Sequence, residues 1–178
     1  MKRLILIMIA ALCIGTSYSQ KNITRDDKKF RLSIGAEAAL PIGNFAKNYS
    51  IGGGATIQAN YSISKNLDLV FNTGLLNFKG TIRTFPTVGA IKFPNQNYIP
   101  LLAGINYHFN DKVFGVAQLG TTLISTKDQN GSYSSLTSVP GIGYKFSKNL
   151  DAVLKYTLYT GSGMGAASSI GIRLGYTF

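Results

Sequence analysis

The 178-residue chain holds one cysteine, one histidine and 7 acidic residues against 18 basic ones. Each scarcity closes off a class of function. Cys13 lies in an apolar stretch at the amino terminus, with Leu12 where lipid attachment would want a small residue. Once that stretch is removed, the chain has no disulfide or thiolate chemistry. A single histidine, His108, without a cysteine or clustered carboxylates, does not make a metal site. Past Gln20 no apolar run reaches the ~20 residues that a transmembrane helix needs. The glycine-rich residues 161–165 lack the strand-to-helix setting of a phosphate cradle. No cofactor and no enzyme emerge from these residues.

The amino terminus reads as an export signal. Lys2 and Arg3 precede the apolar residues 4–14, and Ser17-Tyr18-Ser19 supplies a small-x-small cleavage site. Residues 1–19 are therefore expected to be a signal peptide. Residues 20–29 are polar and without periodicity, a short tail on the periplasmic side, and residues 30–178 make one domain. Without Lys2 and Arg3 the balance is 16 basic to 7 acidic residues, a net charge of +9. A basic excess often means nucleic acid, but here the charges are scattered over turns, loops and strand faces of an exported chain. Outer-membrane lipid and lipopolysaccharide are the expected partners, with no nucleic acid.

The strongest signal is the last stretch, 167–178. Ile170, Ile172, Leu174, Tyr176 and Phe178 alternate there with Ser169, Gly171, Arg173, Gly175 and Thr177. A period of two puts the two sets on opposite faces of a strand. Segments of about 10 residues with one apolar face and an aromatic rim mark a transmembrane β-barrel. The same reading places strands at 30–40, 51–63, 67–78, 98–109, 113–124, 136–146, 150–159 and 167–178, eight in all. Pro41 is expected to open the first loop, the glycines at 52–54 to mark a bend, and Pro140 to disturb the sixth strand. On the fifth strand Gln118 should face inward, leaving Ala117 and Leu119 to lipid. Four strands end alike, at Tyr61-Ser62-Ile63, Tyr107-His108-Phe109, Tyr144-Lys145-Phe146 and Tyr176-Thr177-Phe178. Three of these endings run straight into short polar turns, and Ser-Lys-Asn-Leu-Asp occurs at both 64–68 and 147–151.

Lipid cannot satisfy an open sheet edge, so the eighth strand must pair with the first. Eight strands leave an interior that side chains fill, so the lumen is expected to be filled, with no large pore. The inward set carries Glu37, Asp68, Lys145, Asp151, Lys155 and Arg173. Glu37, Arg173 and Lys155 fall at mid-depth on neighbouring strands of the closed barrel, and Asp151 and Lys145 near its periplasmic end. Buried charges need partners, so an ionic network is expected in each place. Tyr61, Tyr107, Phe109, Tyr144, Phe146 and Tyr176, with Phe178, are expected to form the periplasmic aromatic girdle.

Eight such strands, the leader and the terminal Gly175-Tyr176-Thr177-Phe178 resemble the small OmpA/OmpX-type outer-membrane β-barrel domain family, over about residues 30–178. The resemblance implies an all-β, antiparallel, up-and-down barrel in the outer membrane. It also implies that Phe178, at the position of the family's C-terminal aromatic, is a signal to the barrel assembly machinery. Family roles range over membrane anchoring, adhesion and surface defence. No periplasmic peptidoglycan-binding domain is implied after Phe178.

Three functions of different classes are open. An integral outer-membrane barrel would have a structural or surface-interaction role and meet lipopolysaccharide through Lys47, Lys79, Arg83 and Lys92. A soluble lipocalin-like carrier would need an apolar interior, which the inward charges oppose. A lipid-modifying barrel enzyme would need a serine–histidine pair near the outer leaflet, whereas His108 falls at the periplasmic end. The first is preferred. The longest connection, 79–97, carries Ile82, Phe85, Val88, Ile91 and Phe93 among Arg83 and Lys92. It either extends its hairpin above the membrane and offers an edge to an unknown surface partner, or folds over the barrel mouth and buries its own aromatics. The folded-over loop is the expected form.

Overall fold

In the computed structural model, residues 29–85, 89–126, 132–161 and 165–178 are described. The leader, nearly all of the polar tail and Val88 lie outside them. Eight long strands form one closed barrel: β1 (Phe30–Ile42), β2 (Tyr49–Ser62), β3 (Leu67–Gly80), β6 (Gln96–His108), β7 (Val113–Thr126), β8 (Ser132–Lys145), β9 (Leu150–Gly161) and β10 (Gly165–Thr177). Two short strands, β4 (Ile82–Phe85) and β5 (Gly89–Lys92), make a separate hairpin between β3 and β6. Neighbours pair antiparallel in chain order, and β10 closes on β1 with Glu37 opposite Arg173.

The alternation in the sequence is realised along the wall. On β10, Ile170, Ile172 and Leu174 are about half exposed on the outside, while Ser169 and Arg173 are buried inside. Ile34, Ile57, Phe71, Leu75, Leu101, Leu119 and Leu154 continue the apolar belt around the barrel. A belt of this kind is stable against hydrocarbon and not against water. Gln118 faces in, with Ala117 and Leu119 out.

The lumen is less uniformly polar than the alternation suggests. Val70, Leu102, Phe114, Val116, Val139 and Val153 also point inward and are buried. Aromatic rings inside need room on the adjoining strand, and glycine supplies it. Phe114 lies opposite Gly143, and Phe78 opposite Gly52, each ring resting where a Cβ would stand.

The outer end departs most from expectation. β1 continues through Pro41, which pairs with Ser169. The β2–β3 register shifts between Tyr49 and Gly52, the irregularity foreshadowed by the three glycines. β7 and β8 run on to pair Ser125 with Ser132, so most of the loop expected at 125–135 is strand. Pro140 leaves β8 in register with β9, but no pairing spans positions 139 and 140; proline has no N–H to offer there.

The connection 79–97 does not fold over the mouth. Its described residues form the β4–β5 hairpin with Ile82 and Ile91 exposed, and Phe93 turns back, its ring centroid 6.5 Å from that of Tyr49. The mouth is closed instead by the first loop, where a 3-10 turn (Phe45–Lys47) lowers Phe45 into the barrel. Gly43, at φ 61°, provides the left-handed residue that starts this descent.

The opposite rim is tied by the repeated turn sequence. Ser64 and Ser147 accept from the N–H of Asn66 and Asn149, and each asparagine Nδ2 donates to the last carbonyl of the adjacent strand, His108 O (3.2 Å) and Thr177 O (2.6 Å). The repetition in the sequence is thus a repeated clasp between hairpins.

Candidate functional site

The alternating strands bring ionic groups into the lumen at two depths. At mid-depth Lys155 Nζ lies 2.6 Å from Glu37 Oε1, with the two side chains 10% and 3% exposed. Arg173, opposite Glu37 in the strand pairing, lays its guanidinium toward the end that carries the short turns. Its Nε donates to Thr56 Oγ1 (2.9 Å), its Nη2 to Ser33 Oγ (2.6 Å), and its Nη1 is 3.6 Å from Asp151 Oδ1. The cause is local: Gly35 and Gly175 flank it, and a Cβ at residue 35 would lie 2.6 Å from Nε. The guanidinium therefore lies flat along the wall, where any side chain would displace it.

Asp151 is shared in this way between Arg173 and the strand pair it makes with Lys145. Lys145 Nζ also stands 5.9 Å from the Phe114 ring centroid. The two groupings read from the sequence, Glu37–Arg173–Lys155 and Asp151–Lys145, are redrawn as Glu37–Lys155 and Arg173–Asp151, with Lys145 alongside the second.

A further cluster surrounds Asp68, which is 1% exposed. Arg31 Nη2, His108 Nε2 and Ser62 Oγ each lie 2.8 Å from a carboxylate oxygen. Sequence reasoning placed Asp68 inward and His108 at the end of its strand, and missed that they meet. Their depths were the available signal, since both stand one step inside the same turn-end of adjacent strands. Between this cluster and mid-depth runs a ladder of amides: Asn72 Nδ2 donates to Gln58 Oε1, Gln58 Nε2 to Asn60 Oδ1, and Asn106 Nδ2 to Asn60 Oδ1. Beside it Arg173, Lys155, Gln118 and Val139 line a cavity of about 10 Å³, roughly the room one water takes.

The Asp68 cluster contains serine, histidine and aspartate, yet it is not the hydrolase arrangement. That chemistry needs the imidazole between the other two, so that it can take the serine proton. Here the carboxylate is in the middle, and Ser62 donates to it. Among the described residues, no three of His, Cys, Asp and Glu gather as a possible metal site.

Toward the outer end the lumen becomes aromatic. Phe45, 4% exposed, has the rings of Tyr49, Phe78, Tyr98 and Tyr159 at centroid distances of 5.0, 5.1, 6.1 and 6.3 Å. Phe78 and Tyr98 are themselves 4.8 Å apart, and Ile124 and Leu76 fill in behind them. Sequence reasoning missed this plug because Phe45 lies in a loop, where no periodicity assigns a side chain a direction.

At the rim with the short turns, where the girdle is expected, Tyr61, Tyr107, Phe109, Tyr144, Phe146, Tyr176 and Phe178 all lie on the outer surface. Three Tyr-x-Phe pairs stack edge to face, at 5.3 to 5.4 Å. Phe30, opposite Tyr61 and 59% exposed, joins them. Phe178 N–H donates to Leu32 O (3.0 Å), which fixes the chain end against β1. Of the expected surface cations, Lys47, Lys79 and Lys92 are exposed and Arg83 is half-buried.

The sequence matches the family described as Outer membrane protein beta-barrel domain over residues 8–178. This chain belongs to that family. Solved members of the same architecture superpose on it at low identity. Ail of Yersinia pestis has 17% identity and a TM-score of 0.53, covering 84% of this chain and 97% of its own. The N-terminal β-barrel domain of OprF from Pseudomonas aeruginosa has 15% and 0.56, covering 83% and 97%. Neisserial surface protein A has 14% and 0.53, covering 85% and 98%. No curated protein matches the sequence significantly. As a member of the outer-membrane barrel family, the chain carries its apolar belt against lipid. A soluble carrier would have the opposite arrangement.

Proposed function

We propose that this family member is a structural, surface-interacting barrel of the outer membrane, with a lumen that passes no solutes and no catalytic step. The observation that carries this reading is the closed mouth. Phe45, Phe78 and Tyr98 are each buried to 4% exposure or less and in ring contact, above ion pairs that fill the space below. What remains free to act is the outer surface, above all the β4–β5 hairpin, whose Ile82 and Ile91 are exposed. Ail, the attachment invasion locus protein of Yersinia pestis, shares this architecture, which agrees with a surface role.

The test is conductance. In planar lipid bilayers the refolded barrel is expected to insert without giving the stepwise currents of a porin. Regular, long-lived steps from the wild-type chain would overturn the closed-lumen reading.

A further inference from the structure

Among the described residues, the charged groups are distributed unevenly between the two ends of the barrel. Four acidic side chains occur among the described residues. Glu37, Asp68 and Asp151 are inside the lumen, and Asp111 is in a turn at the periplasmic rim. At the outer end the described charges are all basic, and they gather on one side. Thr81 ties them there: its N–H donates to Asn48 O (2.9 Å) and its Oγ1 to Lys47 O (3.2 Å). Arg83 Nη1 donates to Asn48 Oδ1 (3.2 Å), and Lys92 pairs across the hairpin with Ile82. Lys79, on the outward face of β3, completes the group at the top of the β2–β3 seam. The described tops of β7, β8, β9 and β10, from Ser125, Thr126 and Ser132 to Thr160 and Ala166, carry no charge.

Directly beneath these cations the belt thins. Ala38 lies opposite Gly53 and Ala36 opposite Ala55, a block of four small outward residues shared by β1 and β2. Leu174 borders the block on β10 and Leu75 on β3, each about half exposed. Gly53 is level with Asn77, and Lys79 stands two residues higher, about 7 Å along the strand. A cationic rim at headgroup height above a shallow apolar recess fits a lipid that has anionic groups on its head and several acyl chains.

We propose that the β1–β3 side of the barrel docks one phosphorylated glycolipid of the outer leaflet, of the lipopolysaccharide type. Lys47 and Lys79 hold its phosphates, and the recess at Ala36, Ala38, Gly53 and Ala55 receives an acyl chain. This rests on the outer-membrane reading above and names the partner of that surface. Complementary charge is what selects the occupant: near a membrane surface each basic side chain gains about fivefold in affinity for an anionic headgroup.

The experiment uses the folded barrel in detergent micelles, titrated by native mass spectrometry with bis-phosphorylated lipid A, its dephosphorylated counterpart and phosphatidylglycerol. The phosphorylated lipid A is expected to bind in preference to both others. Lys47→Gln with Lys79→Gln should weaken it about 25-fold. Ala38→Leu, which fills the recess, should weaken it too, while Lys65→Gln with Lys148→Gln at the periplasmic rim should not. Equal binding of phosphatidylglycerol, binding that ignores the phosphates, or indifference to the Lys47/Lys79 pair would each overturn the inference. Those results would leave the barrel reading standing as long as the same samples keep a heat-dependent gel mobility. Loss of that mobility shift would sink both.

Discussion

Replacing Lys155 by alanine is expected to lower the free energy of unfolding by about 3–5 kcal/mol, the usual cost of orphaning one member of a buried ion pair. The reason lies in Glu37. Its side chain is 3% exposed, Oε1 receives Lys155 at 2.6 Å, and Oε2 has no hydrogen-bond partner within the protein. With the lysine gone, the carboxylate would hold a desolvated charge with its nearest cation removed. Arg173 cannot take over in place, because it is engaged with Thr56, Ser33 and Asp151. The double variant Lys155→Ala/Glu37→Ala should recover much of the loss, since it removes the stranded charge as well. Replacing both by leucine should be close to neutral, because buried pairs often contribute little beyond an apolar equivalent. Urea unfolding in lipid vesicles, run as a double-mutant cycle, measures this directly. Additive losses from the two alanine variants would mean that the two groups do not stabilise the barrel as a pair.

Phe45→Ala should be comparably costly, about 3–5 kcal/mol. The ring is central to the mouth, within 6.3 Å of four other rings. The 3-10 turn that presents it has no side-chain cap and only three residues. This ring, the two bonds from Thr81 and the bond from Arg83 to Asn48 hold the loop down. Loss of the ring should therefore also free the loop, read as faster amide exchange at Asn48, whose N–H is otherwise bonded to Phe45 O (3.2 Å). Unchanged stability together with unchanged exchange would show that the plug is held by something other than its ring.

The wall of this protein is legible in its sequence because a period of two is a strong local code, and burial against lipid enforces it at every other residue. Ile170 to Phe178 dictates one strand, and the requirement for closure then places Glu37 beside Arg173. The side-chain geometry inside is less legible. Whether Arg173 reaches Glu37 or Asp151 depends on space left by Gly35 and Gly175, which alternation alone does not reveal. His108 and Asp68 needed only a comparison of depths. Phe45 and the hairpin at 82–92 lie in connections, where direction is set by tertiary packing. The expectation that the long loop would fold over the mouth failed for that reason: Phe45, from a shorter loop, already occupies it.

The central claim is a closed barrel that spans the outer membrane, and the measurement that meets it most directly is electrophoretic mobility. Washed outer membranes are dissolved in mild detergent and the protein is run boiled and unboiled. A closed barrel with all its edges paired resists unfolding without heat, so two positions are predicted, converging after boiling. A single position regardless of heating, with the protein recovered in the soluble periplasmic fraction, would contradict the account.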